Sequence, residues 1–150
     1  MPEDLPPWFH KAIAFRQTLD RETDRGGALM AAAYLDTKLV EELLRKCFVN
    51  ESETADDLLG QNKPLGTFSS RIDLAYLLGH LGKDIRRDLH LARRIRNDFA
   101  HVVDLIDFTH PPIAARCREL RYSLVELGAP PRQCFTNAVF GIWVYSGRNG

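Results

Sequence analysis

The sequence predicts an all-α protein that folds as a single-domain helical bundle of about six helices. Nearly every long stretch places apolar residues at the three- and four-residue spacing of a helix. Strand signals are weak, because no Asn-Gly turn joins two alternating segments and β-branched residues do not cluster. The 150 residues match one domain with a core of its own, without an internal repeat or a linker, so residues 1–150 are expected to form that domain.

Breakers and capping residues define the first three predicted helices. The Pro6-Pro7 pair can open a helix over residues 6–21, because the first turn needs no N–H partner. A second helix is predicted over residues 27–49. After a connector with a short amphipathic turn at residues 55–59, Thr67 or Ser69 can cap a helix over residues 68–78. The predicted core stripe of the second helix consists of Leu29, Ala32, Ala33, Val40, Leu43, Leu44 and Cys47.

Three further helices are predicted in the second half of the chain. One begins near Lys83 or Asp84 and meets no breaker until the region 109–112. Another follows the Pro111-Pro112 pair over residues 113–127, and the last spans residues 132–145. This last helix is apolar on more than one side, which predicts either deep packing or cover by a second subunit. We separately expect the protein to be a homodimer.

Asp36 interrupts the apolar stripe of the second predicted helix. A carboxylate in a core position needs a partner, because burying it unpaired is costly. We therefore expect an arginine opposite Asp36 that locks the fold, and Arg71 and Arg96 are the candidates.

The charge is balanced overall but not locally. The chain has 20 basic and 20 acidic residues, which excludes a strongly basic nucleic-acid arm and an acidic tail. Residues 20–61 carry ten acidic and five basic residues, whereas residues 83–101 carry six basic and three acidic ones. The basic segment therefore either faces the acidic one inside the fold or forms a surface for a phosphate-bearing partner.

The remaining composition points to a soluble, cytoplasmic protein without metal or cofactor. No apolar run approaches the length that crosses a bilayer, and the start of the sequence lacks the features of a signal peptide. The three cysteines have no C-x-x-C spacing and are expected to be reduced thiols. His101 and Asp104 have metal-ligand spacing without an evident third ligand, and no Gly-rich phosphate loop occurs.

The segment from residue 88 to residue 104 is the richest in chemistry-bearing side chains. Projected on a helix, four of them fall within about 60° on one face, away from the apolar stripe: His90, Arg94, Asn97 and His101. This ridge can bind phosphate or shuttle protons, or it can be a solvated face, although it holds no lysine or glutamate. For the binding interpretation, the predicted binding residues are His90 and Arg94 of the ridge and Arg71. Arg96 lies near the apolar stripe, about 140° from His101, which predicts a buried ion pair with Asp36.

These residues also carry a resemblance to the mannitol operon repressor (MtlR) family. The matching pieces are P-L-G-T-F-S-x-R-I at residues 64–72, A-Y-L-L-G at residues 75–79 and R-x-I-R-N-x-F-A-H at residues 93–101. The resemblance implies an all-helical fold and control of transcription of a carbohydrate-uptake operon, mainly through contacts with a protein partner. It implies no DNA-reading element. The one candidate turn, residues 78–83, leads into a helix that begins with residues poorly suited to a major groove.

A shorter resemblance points to the HEPN superfamily of helical nucleotide-binding domains. Residues 96–101 are similar to its R-N-x-x-x-H motif. That similarity implies the alternative function, a metal-independent endoribonuclease or toxin component that acts on RNA as a dimer. Arg96 would then stabilise the phosphate in the transition state, His101 would transfer protons, and Asn97 would orient one of them. A regulator requires Arg96 to be buried with Asp36, whereas a nuclease requires it open beside His101.

Overall fold

The computed structural model describes residues 4–50, 52–123 and 128–148, and within them it confirms an all-α bundle without strands. Seven α-helices are present in this part of the chain. Their bounds are α1 Pro7–Arg21, α2 Asp24–Lys38, α3 Ser52–Leu59, α4 Phe68–Leu77, α5 Lys83–His101, α6 Pro111–Glu119 and α7 Pro131–Arg148.

Helix α5 is the centre of the bundle. It contacts α2, α4, α6 and α7, while α1 packs chiefly against α7. Alanines at the three- and four-residue spacing, Ala28, Ala31 and Ala32, let α2 approach α5 closely, because they present no bulky side chain. The core face of α5 is fully buried and consists of Ile85, Leu89, Ala92, Ile95 and Phe99.

The predicted core stripe of the second helix is wrong in part. Leu29, Ala33 and Cys47 are exposed, and Leu35 and Leu39 are buried in addition to the alanines. The cause is a π-helical turn, Leu39–Leu44, followed by a 3₁₀ turn, Arg45–Cys47. Because a π turn holds more residues than an α turn, one straight helical period cannot describe the whole segment.

Helix α5 ends at His101, well before the predicted region of residues 109–112. Arg25 of α2 donates from Nη2 to the carbonyl oxygens of Val102 at 2.9 Å and Asp104 at 2.8 Å. The backbone N–H of Phe108 donates to Asp24 Oδ2 at 2.9 Å, and the Phe108 ring is buried. Tertiary contacts to α2 therefore fix the extended segment after α5, where the sequence contains no proline or glycine to mark it.

A buried carboxylate anchors the chain where α6 ends. Asp88 of α5 is fully buried and accepts hydrogen bonds from the backbone N–H groups of Arg121, at 3.0 and 3.1 Å, and Tyr122, at 2.8 Å. Burial raises the pKa of Asp88, and the two backbone N–H groups oppose that effect. Helix α6 ends at Glu119, so the chain leaves the helix before the predicted end at Leu127, which lies outside the described residues.

Candidate functional site

A basic groove of about 620 Å³ lies along the packed helices α4 and α5. Its walls come from α4, from the first three turns of α5 and from the segment at the end of α6. Cationic side chains outnumber acidic ones among its lining residues, which are Ser69, Asp73, Lys83, Asp84, Arg86, Arg87, His90, Leu91, Arg93, Arg94, Glu119 and Arg121.

Half of the cations in the groove are paired with the acids beside them. Arg86 Nε lies 2.9 Å from Asp73 Oδ1. Two further ion pairs connect α5 to the end of α6: Arg87 to Glu119 at 3.5 Å and Asp84 to Arg121 at 2.5 Å. Within the described residues, the other three cations, Lys83, Arg93 and Arg94, have no carboxylate partner. The groove therefore has a positive surplus.

A chain of hydrogen bonds crosses the groove from α4 to α5. His90 Nε2 lies 2.9 Å from Asp73 Oδ1, and Arg93 Nε donates to His90 Nδ1 at 3.4 Å. Because an arginine can only donate, Nδ1 must be unprotonated and Nε2 must carry the proton that Asp73 accepts. The hydrogen bond from His90, together with that from Arg86, lowers the pKa of Asp73. Asp73 therefore fixes the ring of His90, and His90 in turn orients Arg93.

The predicted ridge on α5 is only partly in this groove. His90 and Arg94 line it, whereas Asn97 and His101 lie nearer the C-terminal end of the helix and do not. Arg71, the third predicted binding residue, does not line the groove either. Its side chain is committed to the interior between α2 and α4.

The predicted ion pair between Asp36 and Arg96 is wrong, because Arg71 occupies that position. Arg71 Nη1 lies 2.9 Å from Asp36 Oδ1. The packing of α4 against the π-helical turn after α2 brings Arg71 to Asp36, while Arg96 sits further along α5. Asp36 does have an arginine partner, as its position on the apolar stripe predicts, but the partner is Arg71 and not Arg96.

The three residues of the R-N-x-x-x-H pattern are close in sequence but not joined into one network. Arg96 is half-buried and donates from Nε to Asn97 Oδ1 at 2.8 Å. His101 is exposed at the last position of α5. Within this chain, Arg96 is thus not buried with Asp36, which was the requirement set out for a regulator. It is also not hydrogen-bonded to His101, which it would have to lie beside in a nuclease.

Sequence reasoning missed Asp73, Ser69 and Arg93 as parts of the site. Ser69 and Asp73 are four residues apart on α4, so they share one helix face, which is a signal the sequence does contain. Their proximity to His90 depends on the packing of α4 against α5, which no local pattern gives.

Within residues 4–50, 52–123 and 128–148, no helix is long and apolar enough to cross a membrane. In the same residues, no group of three or more histidine, cysteine, aspartate or glutamate side chains is placed to hold a metal ion.

The structure therefore defines an all-α protein with a basic groove between α4, α5 and the end of α6. Among solved structures, this chain is similar to a chain of the "X-ray structure of the MtlR-HPr complex from Escherichia coli". The two are 20% identical, the match covers 89% of this chain and 98% of the other, and the TM-score is 0.70. This chain therefore has an MtlR-like fold, as the resemblance in its sequence implied. No family model and no curated protein matches the sequence.

Proposed function

We propose that this chain is a regulatory protein that acts by binding a protein partner in its basic groove. The observation that carries the proposal is the positive surplus of Lys83, Arg93 and Arg94, which suits an acidic or phosphate-bearing surface. The MtlR-like fold supports it, because a solved structure with that fold is a complex of MtlR with HPr. We propose HPr as the partner of this chain as well.

The regulated process is, in this proposal, the transcription of a carbohydrate-uptake operon in the cytoplasm, without direct reading of DNA bases. The turn after α4 leads into α5, whose early residues Ile85, Asp88 and Leu89 are buried in the bundle. A recognition helix projects the open face of its first turns into the major groove, whereas the open face of α5 forms part of a groove that is also lined by α4 and the end of α6. Regulation through a partner protein, which is itself connected to transcription, fits this arrangement better.

A homodimer belongs to the same proposal. The side of α7 away from the core stripe carries Phe140, Val144 and Tyr145, which are only half-buried. With Phe9 and Tyr122 they line a mainly apolar groove of about 470 Å³. A second subunit would cover these aromatic rings, and sedimentation analysis of the purified protein tests that expectation.

The experiment for the partner is a binding titration of this chain with HPr from the organism that encodes it. Charge reversal in the groove, Arg94→Glu, should weaken binding at least about tenfold, and binding should weaken as salt is added. Arg118→Glu is the matched control, because Arg118 is an exposed arginine of α6 outside the groove. The absence of binding at low salt, or equal effects of the two substitutions, would contradict the proposal.

A second candidate function is a metal-independent endoribonuclease that uses Arg96, Asn97 and His101. It is favoured by one observation: Arg96 has no acidic partner among the described residues and is held by Asn97. The test is RNA cleavage by the purified protein with EDTA present. Cleavage that is lost in His101→Ala, with the fold retained, would establish this function, and no cleavage by the natural protein would exclude it.

A further inference from the structure

The groove presents more guanidinium groups than its own acids neutralise. Its three acidic side chains are each engaged by an arginine, Asp73 by Arg86, Glu119 by Arg87 and Asp84 by Arg121. The surplus is concentrated where Arg93 and Arg94 follow each other on α5. Neighbouring cations repel one another, and no described carboxylate forms an ion pair with either of them, so a bound anion would relieve the repulsion.

Burial further increases the free-energy cost of keeping Arg93 charged. Its pKa is lowered by burial first, and then by the nearby charges of Arg94 and Arg96, with Asp73 as a weaker opposing influence. A partly buried cation with cationic neighbours is costly for an unliganded protein to keep. Its presence beside an open groove therefore points to a ligand that supplies the missing negative charge.

The donors around this cation pair are held in place before any ligand arrives. His90 accepts from Arg93 Nε at 3.4 Å and is itself fixed by Asp73, which leaves the two Nη groups of Arg93 available for another acceptor. Across the groove, the hydroxyl of Ser69 has no hydrogen-bond partner among the described residues. The guanidinium groups of Arg93 and Arg94 and the hydroxyl of Ser69 are donors of the kind that bind the oxygens of a phosphate group.

We propose that this groove binds a phosphate monoester, with Arg93, Arg94 and Ser69 as its ligands and His90 as a positioning residue. The proposal rests on the proposed use of the groove as a binding surface and names the group recognised there. A monoester is favoured over a nucleic-acid backbone because none of the described lining residues is Phe, Tyr or Trp, and the one aromatic ring, His90, is engaged by Asp73 and Arg93. The doubly charged monoester also neutralises more of the surplus than a phosphodiester does.

The size of the groove gives room for more than the phosphate. Its volume of about 620 Å³ is in the range that accommodates a small organic ligand. The phosphate can therefore come from a phosphorylated metabolite or from a phosphorylated side chain of the docking protein. Both sources share the same recognised group, and the experiment below separates them.

The experiment is isothermal titration of the full chain with inorganic phosphate, at constant ionic strength maintained with sodium chloride. Arg93→Gln and Arg94→Gln should each weaken phosphate binding at least about tenfold, because each removes charge-assisted hydrogen bonds. Arg118→Gln removes the same charge outside the groove and should change binding by less than about twofold. Because Arg94 is exposed, its substitution leaves the core intact and keeps the test valid if Arg93→Gln does not fold.

Three probes identify the source of the phosphate. Glycerol 3-phosphate represents a metabolite, and a short phosphoserine peptide with its unphosphorylated twin represents a protein. Tighter binding of either than of inorganic phosphate, lost in Arg94→Gln, would support the proposal and assign the source. A short oligouridylate that binds more tightly than both would overturn it in favour of nucleic acid. Phosphate binding that is absent, or equal in Arg94→Gln and Arg118→Gln, would also overturn it.

Failure of this inference is distinguishable from failure of the proposed function. Unphosphorylated HPr that binds in an Arg94-dependent manner while inorganic phosphate does not would overturn the phosphate site alone. Phosphate binding without any binding of HPr would support the phosphate site and contradict the proposed partner.

Discussion

Arg71 donates hydrogen bonds to both carboxylate oxygens of Asp36 from a single nitrogen, Nη1, at 2.9 and 3.0 Å. Its other nitrogens donate to backbone carbonyls, Nε to Leu65 at 2.8 Å and Nη2 to Leu59 at 2.5 Å. One side chain thus ties together α2, the end of α3, the connector that follows it and α4. Its exposed fraction is 14%, so water replaces few of these hydrogen bonds.

Arg71→Ala is expected to lower the free energy of unfolding by about 3 kcal/mol, because it leaves a part-buried carboxylate and two carbonyls without their donor. Urea denaturation monitored by circular dichroism measures the change. Arg71→Lys should recover only part of the loss, since an ammonium group cannot reach all three acceptors in the plane of the guanidinium.

Arg96→Ala is the matched control for this prediction. Arg96 is half-buried and bonds to Asn97 alone among the described residues, so its removal should cost less than about 1 kcal/mol. A loss at Arg96 as large as that at Arg71 would contradict the assignment of Asp36 to Arg71.

The sequence could show that Asp36 needs an arginine, but it could not choose between the two. A carboxylate on an apolar stripe is a local signal, and both Arg71 and Arg96 are at plausible positions on later helices. The choice depends on which helix packs against the end of α2. The π-helical turn at Leu39–Leu44 changes that packing, and no rule of helical periodicity reveals it.

For the groove too, the sequence predicts which residues share a helix face but not which helices pack together. The helical projection correctly placed His90 and Arg94 on one face, because both lie on a regular stretch of α5. It also grouped them with His101, which the end of the helix leaves exposed and outside the groove. Asp73, which orients His90, lies 17 residues earlier and is brought there by the packing of α4 on α5.

Asp88→Ala is expected to destabilise the protein by about 3 kcal/mol. The substitution removes the acceptor of the Arg121 and Tyr122 backbone N–H groups and leaves a small cavity at a fully buried position. Thermal and urea unfolding measure the loss. Asp84→Ala, one turn earlier on α5, removes only an exposed ion pair with Arg121 and should cost less than about 1 kcal/mol. Equal losses for the two variants would show that the buried carboxylate of Asp88 stabilises the fold no more than the exposed ion pair of Asp84 does.

Asp73→Asn is expected to destabilise the protein at neutral pH and to have little effect in acid. The hydrogen bonds from His90 and Arg86 lower the pKa of Asp73 in the folded state. Its ionised form therefore stabilises the fold above the ordinary aspartate pKa, and this stabilisation is lost as the pH falls through the lowered value. Unfolding free energies of the natural protein and the variant, compared from about pH 7 to about pH 3, should differ less at the acidic end than at neutral pH. Asp57→Asn, at an exposed site on α3, is the control, and a pH-independent difference for Asp73→Asn would contradict the prediction.

The three thiols should differ sharply in reactivity, because only one of them is exposed. Cys47 lies at the end of the 3₁₀ turn in contact with solvent, whereas Cys117 and Cys134 are buried. Burial raises the pKa of Cys117 to about 12, so its reactive thiolate is scarce even at alkaline pH. Iodoacetamide at about pH 8 should therefore add one label per folded chain, at Cys47, and three labels per chain in denaturant. Mass spectrometry of the intact protein counts the labels, and Cys47→Ser should abolish labelling of the folded form. Rapid modification of Cys117 in the native protein would show that α6 opens from the core far more readily than its packing implies.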